Sequence, residues 1–132
     1  SGNDSRVCFS APLAKLLEGA NRGTVYVRVD YTDKSGRVYH NNYCLGKQKD
    51  MDYPKVDLQT EVRSIEGGYE VTVSADKFAR AVCLSVADNE SVYSDNYFDV
   101  QPKSSVQVQV RTRLSAEAFN GSLRLTCLNN EF

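Results

Sequence analysis

Residues 56–75 read VDLQTEVRSIEGGYEVTVSA. Val56, Leu58, Thr60 and Val62 alternate with Asp57, Gln59, Glu61 and Arg63; beyond the Gly67-Gly68 pair, Tyr69, Val71, Val73 and Ala75 alternate with Glu70, Thr72 and Ser74. Neighbouring side chains of a strand point to opposite faces, so a period of two with one apolar set marks a half-buried strand. Glycine adopts positive φ at no steric cost, so the pair supplies a tight turn. The stretch predicts an antiparallel hairpin with one face buried, and that sets the fold class as all-β.

The same period recurs on both sides. Downstream, Val82, Leu84 and Val86 end at Asp88-Asn89-Glu90, and a strand through Tyr97, Phe98, Asp99 and Val100 stops at Pro102. Val106, Val108 and Val110 follow, and Leu123, Leu125 and Cys127 close the series. Many short strands with turn signals at close spacing predict a small antiparallel β-sandwich of immunoglobulin-like architecture over residues 55–132. The tryptophan of antibody-type domains is absent, so the likeness is to the architecture alone. Residues 115–119 are expected to form one helical turn before Asn120-Gly121.

Upstream, Val25, Val27, Val29 and Tyr31 alternate with polar neighbours, Asp33 to Gly36 reads as a turn, and Arg37 to Leu45 as a second strand. The polar run from Gly46 to Lys55 contains Tyr53-Pro54 and reads as a linker, because proline disfavours both helix interior and central strand. Residues 1–54 are therefore expected to be a partial second sandwich segment plus linker. They are expected to hold a strand near Val7 to Phe9, a helical turn on Pro12, Leu13, Leu16 and Leu17 capped by Ser10 and stopped by Gly19, and one hairpin. One hairpin does not close a sheet, so the segment either packs on the second half or belongs to a divided domain.

Composition excludes several classes. Of 132 residues, 41% are hydrophobic and 25% charged, with formal net charge −1, so the chain is neither disordered by composition nor electrostatically fitted to nucleic acid or an anionic membrane. No apolar run approaches the ~20 residues of a membrane span. The chain begins Ser1-Gly2-Asn3 without Met, and is expected to be a piece of a longer protein. Cys8, Cys44, Cys83 and Cys127 are far apart and form no C-x-x-C pair, so neither a zinc site nor any other metal or cofactor is expected. Two disulfides are possible on paper; the plainer reading is buried free thiols, with Cys127 continuing the face of Leu123 and Leu125.

No catalytic residue is assigned. His40, the single histidine, sits mid-strand without a nucleophile motif and reads as structural or surface. Asp95 and Asp99 would need a cleft to act as a glycosidase pair, whereas Asp95 and Asn96 read as turn or strand-end residues bonding local backbone. Tyr39 and Tyr43 share a strand face ~13 Å apart and are candidates for stacking on sugar rings, though tyrosine is common in strands for packing reasons. Gln107, Gln109, Arg111 and Arg113 form a polar face without interleaved aromatics, which reads as solvated or as a domain contact rather than a nucleic-acid site. The N-x-[ST] sequons at Asn3, Asn89 and Asn120 read as chance.

Three stretches carry a family likeness. YTDKSGRVYHNNYCLGKQKDMDYPKVDLQTEV (31–62) resembles the end of the penultimate sandwich domain of glycoside hydrolase family two β-mannosidases. ADKFARAVCLSV (75–86) and SVYSDNYFDVQPKSSVQVQV (91–110) resemble the core of the final immunoglobulin-like domain, and Tyr93 to Asp99 followed by Pro102 is the most specific run. The resemblance spans residues 24–132 and implies a non-catalytic C-terminal accessory region. The parent enzyme would hydrolyse terminal β-D-mannose residues from an upstream (β/α)₈ barrel, which takes about 250 residues. The implied partners are that barrel and the preceding sandwich domains of the parent, with a homodimer as a further possibility; no nucleic acid or membrane is expected. The rival expectation is a carbohydrate-binding module using exposed tyrosines. A bacterial polysaccharide-degrading parent would be periplasmic or extracellular.

Overall fold

The computed structural model describes residues 5–131. The chain divides into two units, Ser1–Tyr53 and Pro54–Phe132.

The first unit is a single antiparallel hairpin with short helical pieces around it. Helix α1 (Leu13–Leu17) begins after Pro12, with no side-chain cap, and ends at Glu18 in the left-handed region. Ser10 therefore does not cap it; Pro12, with its fixed φ and missing N–H, is suited to a helix start. Residues 7–9 form no strand, and Val7 and Phe9 are exposed. Strands β1 (Tyr26–Thr32) and β2 (Val38–Cys44) pair without interruption from Tyr26↔Cys44 to Thr32↔Val38. Asp33 closes the hairpin loop: its Oδ1 accepts from Ser35 N at 2.8 Å, Ser35 Oγ at 2.6 Å and Arg37 N at 3.0 Å.

The run read as a linker is ordered as far as Asp52. A 3-10 turn at Gln48–Asp50 precedes Asp52, whose N–H bonds Gly23 O at 2.8 Å. A Cβ on Gly23 would lie 2.7 Å from Asp50 O, so the close approach requires glycine there. Gly23 is also the single buried residue among the described residues of this unit.

The second unit is the expected immunoglobulin-like sandwich. Strands β3 (Leu58–Ile65), β4 (Gly68–Ala75), β5 (Ala79–Ser85), β6 (Val92–Tyr93), β7 (Phe98–Val100), β8 (Ser105–Arg111) and β9 (Arg124–Thr126) form two antiparallel sheets. One has the order β3-β4-β8-β6 and the other β7-β5-β9. The hairpin read from residues 56–75 is present in register, from Leu58↔Ala75 to Ile65↔Gly68. Its two glycines serve different ends. Gly67 has φ +78 and makes the turn, while a Cβ on Gly68 would collide with Val110 O on the neighbouring strand.

Between the sheets, Tyr69, Val71, Val73 and Ala75 of β4 and Val108 and Val110 of β8 join Val82 and Leu84 of β5, Phe98 and Val100 of β7, and Cys127 in one buried cluster. Phe119, fully buried on helix α2 (Ala116–Ser122), stacks on Tyr69 with ring centroids 4.2 Å apart, and Tyr69 donates to Leu114 O at 3.0 Å. Ser115 caps α2 by accepting from Ala118 N. The helix runs through Asn120-Gly121 instead of stopping before them. A last short helix α3 (Leu128–Glu131) ends the described chain.

Candidate functional site

The polar groups that hold the sandwich are side chains standing in for missing backbone partners. In β5 the register shifts between Ala79↔Val100 and Val82↔Phe98, so β5 carries one extra residue, a β-bulge. Ala81 sits there at φ +50, a conformation costly for a residue with a Cβ. Asp99 holds it: one carboxylate oxygen accepts from Ala81 N at 3.0 Å and the other pairs with Arg80 Nη1. Asn129 takes the other bulge donor, Arg80 N, at 2.8 Å, and its amide donates to Pro54 O and Phe78 O, each at 2.9 Å. The bulge has a packing consequence. Ala79, Val82 and Leu84 all face the core although the first interval is odd, because the extra residue resets the alternation.

Asn96 does the same for the next pair of groups on β5. Its Oδ1 accepts from Leu84 N at 2.8 Å and its Nδ2 donates to Leu84 O at 2.9 Å, so a side-chain amide continues the ladder where β7 has not begun. Asp95 and Asn96 both bond local backbone as expected, Asp95 accepting from Asn96 N and Asn96 from Tyr97 N at 3.2 Å, but Asn96 also reaches twelve residues back to Leu84. Tyr97 follows at φ +61, with its ring exposed. Asn130 repeats the device on Val56, accepting from its N–H and donating to its C=O. Ser94 does so beside β6, its N–H bonding Gln109 O and its Oγ accepting from Gln109 N.

The residues singled out for chemistry are dispersed. His40 is exposed on β2, opposite Asp30. Asp99 is engaged at the bulge, which is a structural use of the carboxylate. Gln107, Gln109 and Arg111 are exposed on the outer face of β8, where Arg63 and Glu70 of the same sheet pair at 2.8 Å. The cysteines are all free; Cys127 is buried as read, but Cys8 is exposed and Cys44 and Cys83 are half-buried. Among the described residues no group of three or more His, Cys, Asp or Glu is placed to hold a metal ion, and no helix is long and apolar enough to cross a membrane. Of the sequons, Asn89 and Asn120 are exposed, and Asn3 lies outside the described residues.

One apolar surface stands out, on the β1–β2 hairpin. Pairing sets Val27 opposite Tyr43, Val29 opposite Asn41 and Tyr31 opposite Tyr39, all on one face. Val29, Tyr31, Tyr39 and Tyr43 are 46–70% exposed. Tyr31 and Tyr39 lie with centroids 6.2 Å apart, and the Arg37 guanidinium stands 5.1 Å over the Tyr39 ring. Sequence reading found Tyr39 and Tyr43 on this face; cross-strand register adds Tyr31 and Val29.

Two antiparallel sheets around an apolar core, with side-chain amides completing their edges, define the second unit as an immunoglobulin-like β-sandwich module. The family model Ig_mannosidase, an Ig-fold domain, matches residues 53–131, and the chain belongs to that family. Comparison with curated proteins gave no match.

Proposed function

We propose that this chain is the C-terminal accessory region of a β-mannosidase-type glycoside hydrolase. The parent would cleave terminal β-D-mannose residues in an upstream barrel. The second unit would be its closing Ig-like domain, and the hairpin of the first unit would be the last hairpin of the sandwich before it. The observation that carries this reading is the uncovered face of β1–β2. A two-stranded sheet is marginal in water unless a further layer covers its apolar side. Here that side presents Val29, Tyr31, Tyr39 and Tyr43, while no apolar side chain among the described residues of the unit is buried. The missing layer would be the earlier strands of the same sandwich, and the role of the region is to pack against the parent's other domains.

Extending the chain by the natural upstream sequence tests this. The amides of β1 and β2 should become strongly protected from hydrogen exchange in the extended protein relative to the present chain; unchanged protection would refute the assignment of the hairpin. Turnover of an aryl β-mannoside by the present chain above a buffer blank would refute the accessory reading itself. The carbohydrate-module reading would use the same exposed rings of the hairpin, Tyr31, Tyr39 and Tyr43, and predicts amide shifts there when mannan oligosaccharides are titrated. The outer face of the four-stranded sheet carries Gln59, Glu61, Arg63, Glu70, Gln107 and Gln109, without the ring that would stack on a sugar.

A further inference from the structure

The edges of the sandwich differ in kind. Strands β6, β7 and β9 at three edges are two, three and three residues long, whereas β3 at the fourth runs eight residues in unbroken register. A long flat edge offers a row of free backbone donors and acceptors, and proteins usually blunt one with proline, a bulge or charged side chains. β3 has no proline and no bulge, and its two charged residues, Glu61 and Arg63, are of opposite sign. We propose that β3 is a docking edge for a second copy of this chain, the two β3 strands pairing antiparallel about Val62 to join two four-stranded sheets into one.

Two independent features converge on that register. Ile65 and Gly68 flank a two-residue turn and so exchange backbone bonds, and alternation then gives Arg63, Glu61 and Gln59 to β4. The N–H and C=O of Ser64, Val62 and Thr60 consequently point outward. With the two-fold axis at Val62, Val62 meets Val62 of the second copy and Thr60 meets Ser64, so the outward groups of these three residues all find partners of the right direction, while Leu58 falls beyond the paired stretch, opposite the turn at Glu66. The same register sets Glu61 opposite Arg63 of the second copy, twice, on the outer face. Arg63 already bonds Glu70 at 2.8 Å, so a continuous row of alternating charge would cross the junction. Such an interface is isologous and closes on itself, which limits the assembly to a dimer.

Sedimentation velocity on the full 132-residue chain, from micromolar to millimolar concentration, tests this. A reversible monomer–dimer equilibrium is expected, weakening with added salt. Glu61→Arg and Arg63→Glu each set like charges face to face, and each should weaken self-association by roughly tenfold or more. Mixed one to one, they should restore the dimer, because each unlike pair is then complementary. Thr60→Pro, which removes an outward N–H and leaves the β4 ladder intact, should also be monomeric. Circular dichroism verifies that each variant is folded. A wild-type chain that stays monomeric at millimolar concentration, a Glu61→Arg chain that still dimerises, or a mixture that stays monomeric each overturns the proposal.

Discussion

Asn129 shows how much one side chain can determine. It is buried, and all three of its hydrogen bonds go to backbone groups at separate points of the chain: Pro54, Phe78 and Arg80. Asn129→Ala would leave one donor and two acceptors without partners in an apolar setting, so a loss of about 2–3 kcal/mol is expected in urea unfolding. Asn129→Asp keeps the acceptor for Arg80 N but loses both donated bonds and should cost at least as much. The paired glycines make a second residue-scale contrast. Gly67→Ala meets no atom and suffers only the strain of φ +78, about 1–2 kcal/mol; Gly68→Ala drives a methyl into Val110 O and should cost clearly more, or separate β4 from β8. Among the thiols, burial pushes the pKa of Cys127 up, whereas Cys8 is open to solvent. A disulfide reagent should therefore modify Cys8 first and reach Cys127 only on unfolding. The turn at Gly67 and the burial of Cys127 were legible in the sequence; the closeness of Gly68 to Val110 and the reach of Asn129 were not. An Asn-Asn pair before the terminus looks like loop composition until the entry segment at Pro54 is seen beside it.

At the scale of elements, strands with long alternation were legible and those made by side chains were not. β3, β4 and β8 each present a full run of period two, and each lies where that run predicts. β6 escaped because two residues carry no period; it exists through pairing with β8 and the Ser94 bonds to Gln109. The bulge in β5 escaped because Ala81 is an ordinary residue in an uncommon conformation, fixed there by Asp99 from another strand. Asp99→Ala should accordingly cost about 2–3 kcal/mol by orphaning Ala81 N and the Arg80 guanidinium. Ala81→Gly should be neutral or stabilising by up to ~1 kcal/mol, since glycine takes the left-handed region freely. Thermal melts of both variants check the pair. Residues 7–9 failed in the opposite sense. Val7 and Phe9 have the alternation of a strand, but no neighbouring strand pairs with them, and an unpaired strand is not stable.

For the whole molecule, the two units should differ in stability. The second has a closed apolar core; the first has none among its described residues. Hydrogen exchange should show β4, β5 and β8 protected to the global limit while β1 and β2 open through local fluctuations. Acid should affect both. The Ser35 hydroxyl, then backbone N–H groups, hold Asp33 below 3.8, and the Asp57 N–H chiefly does the same for Asp76. A carboxyl whose folded pKa is depressed adds stability in full above its unfolded value and loses it as pH falls through the folded one. Unfolding midpoints should therefore be level from about pH 7 to pH 5 and decline below about pH 4. By itself the sequence determined that this is an antiparallel sandwich with a hairpin before it, because strand periodicity is a local property that each residue's neighbours reveal. Only the tertiary structure decided how the sheets are finished: the bulge, the Asn96, Asn129 and Asn130 bonds, and the open edge at β3. Those depend on which distant backbone groups are left without a partner, and no local pattern records that.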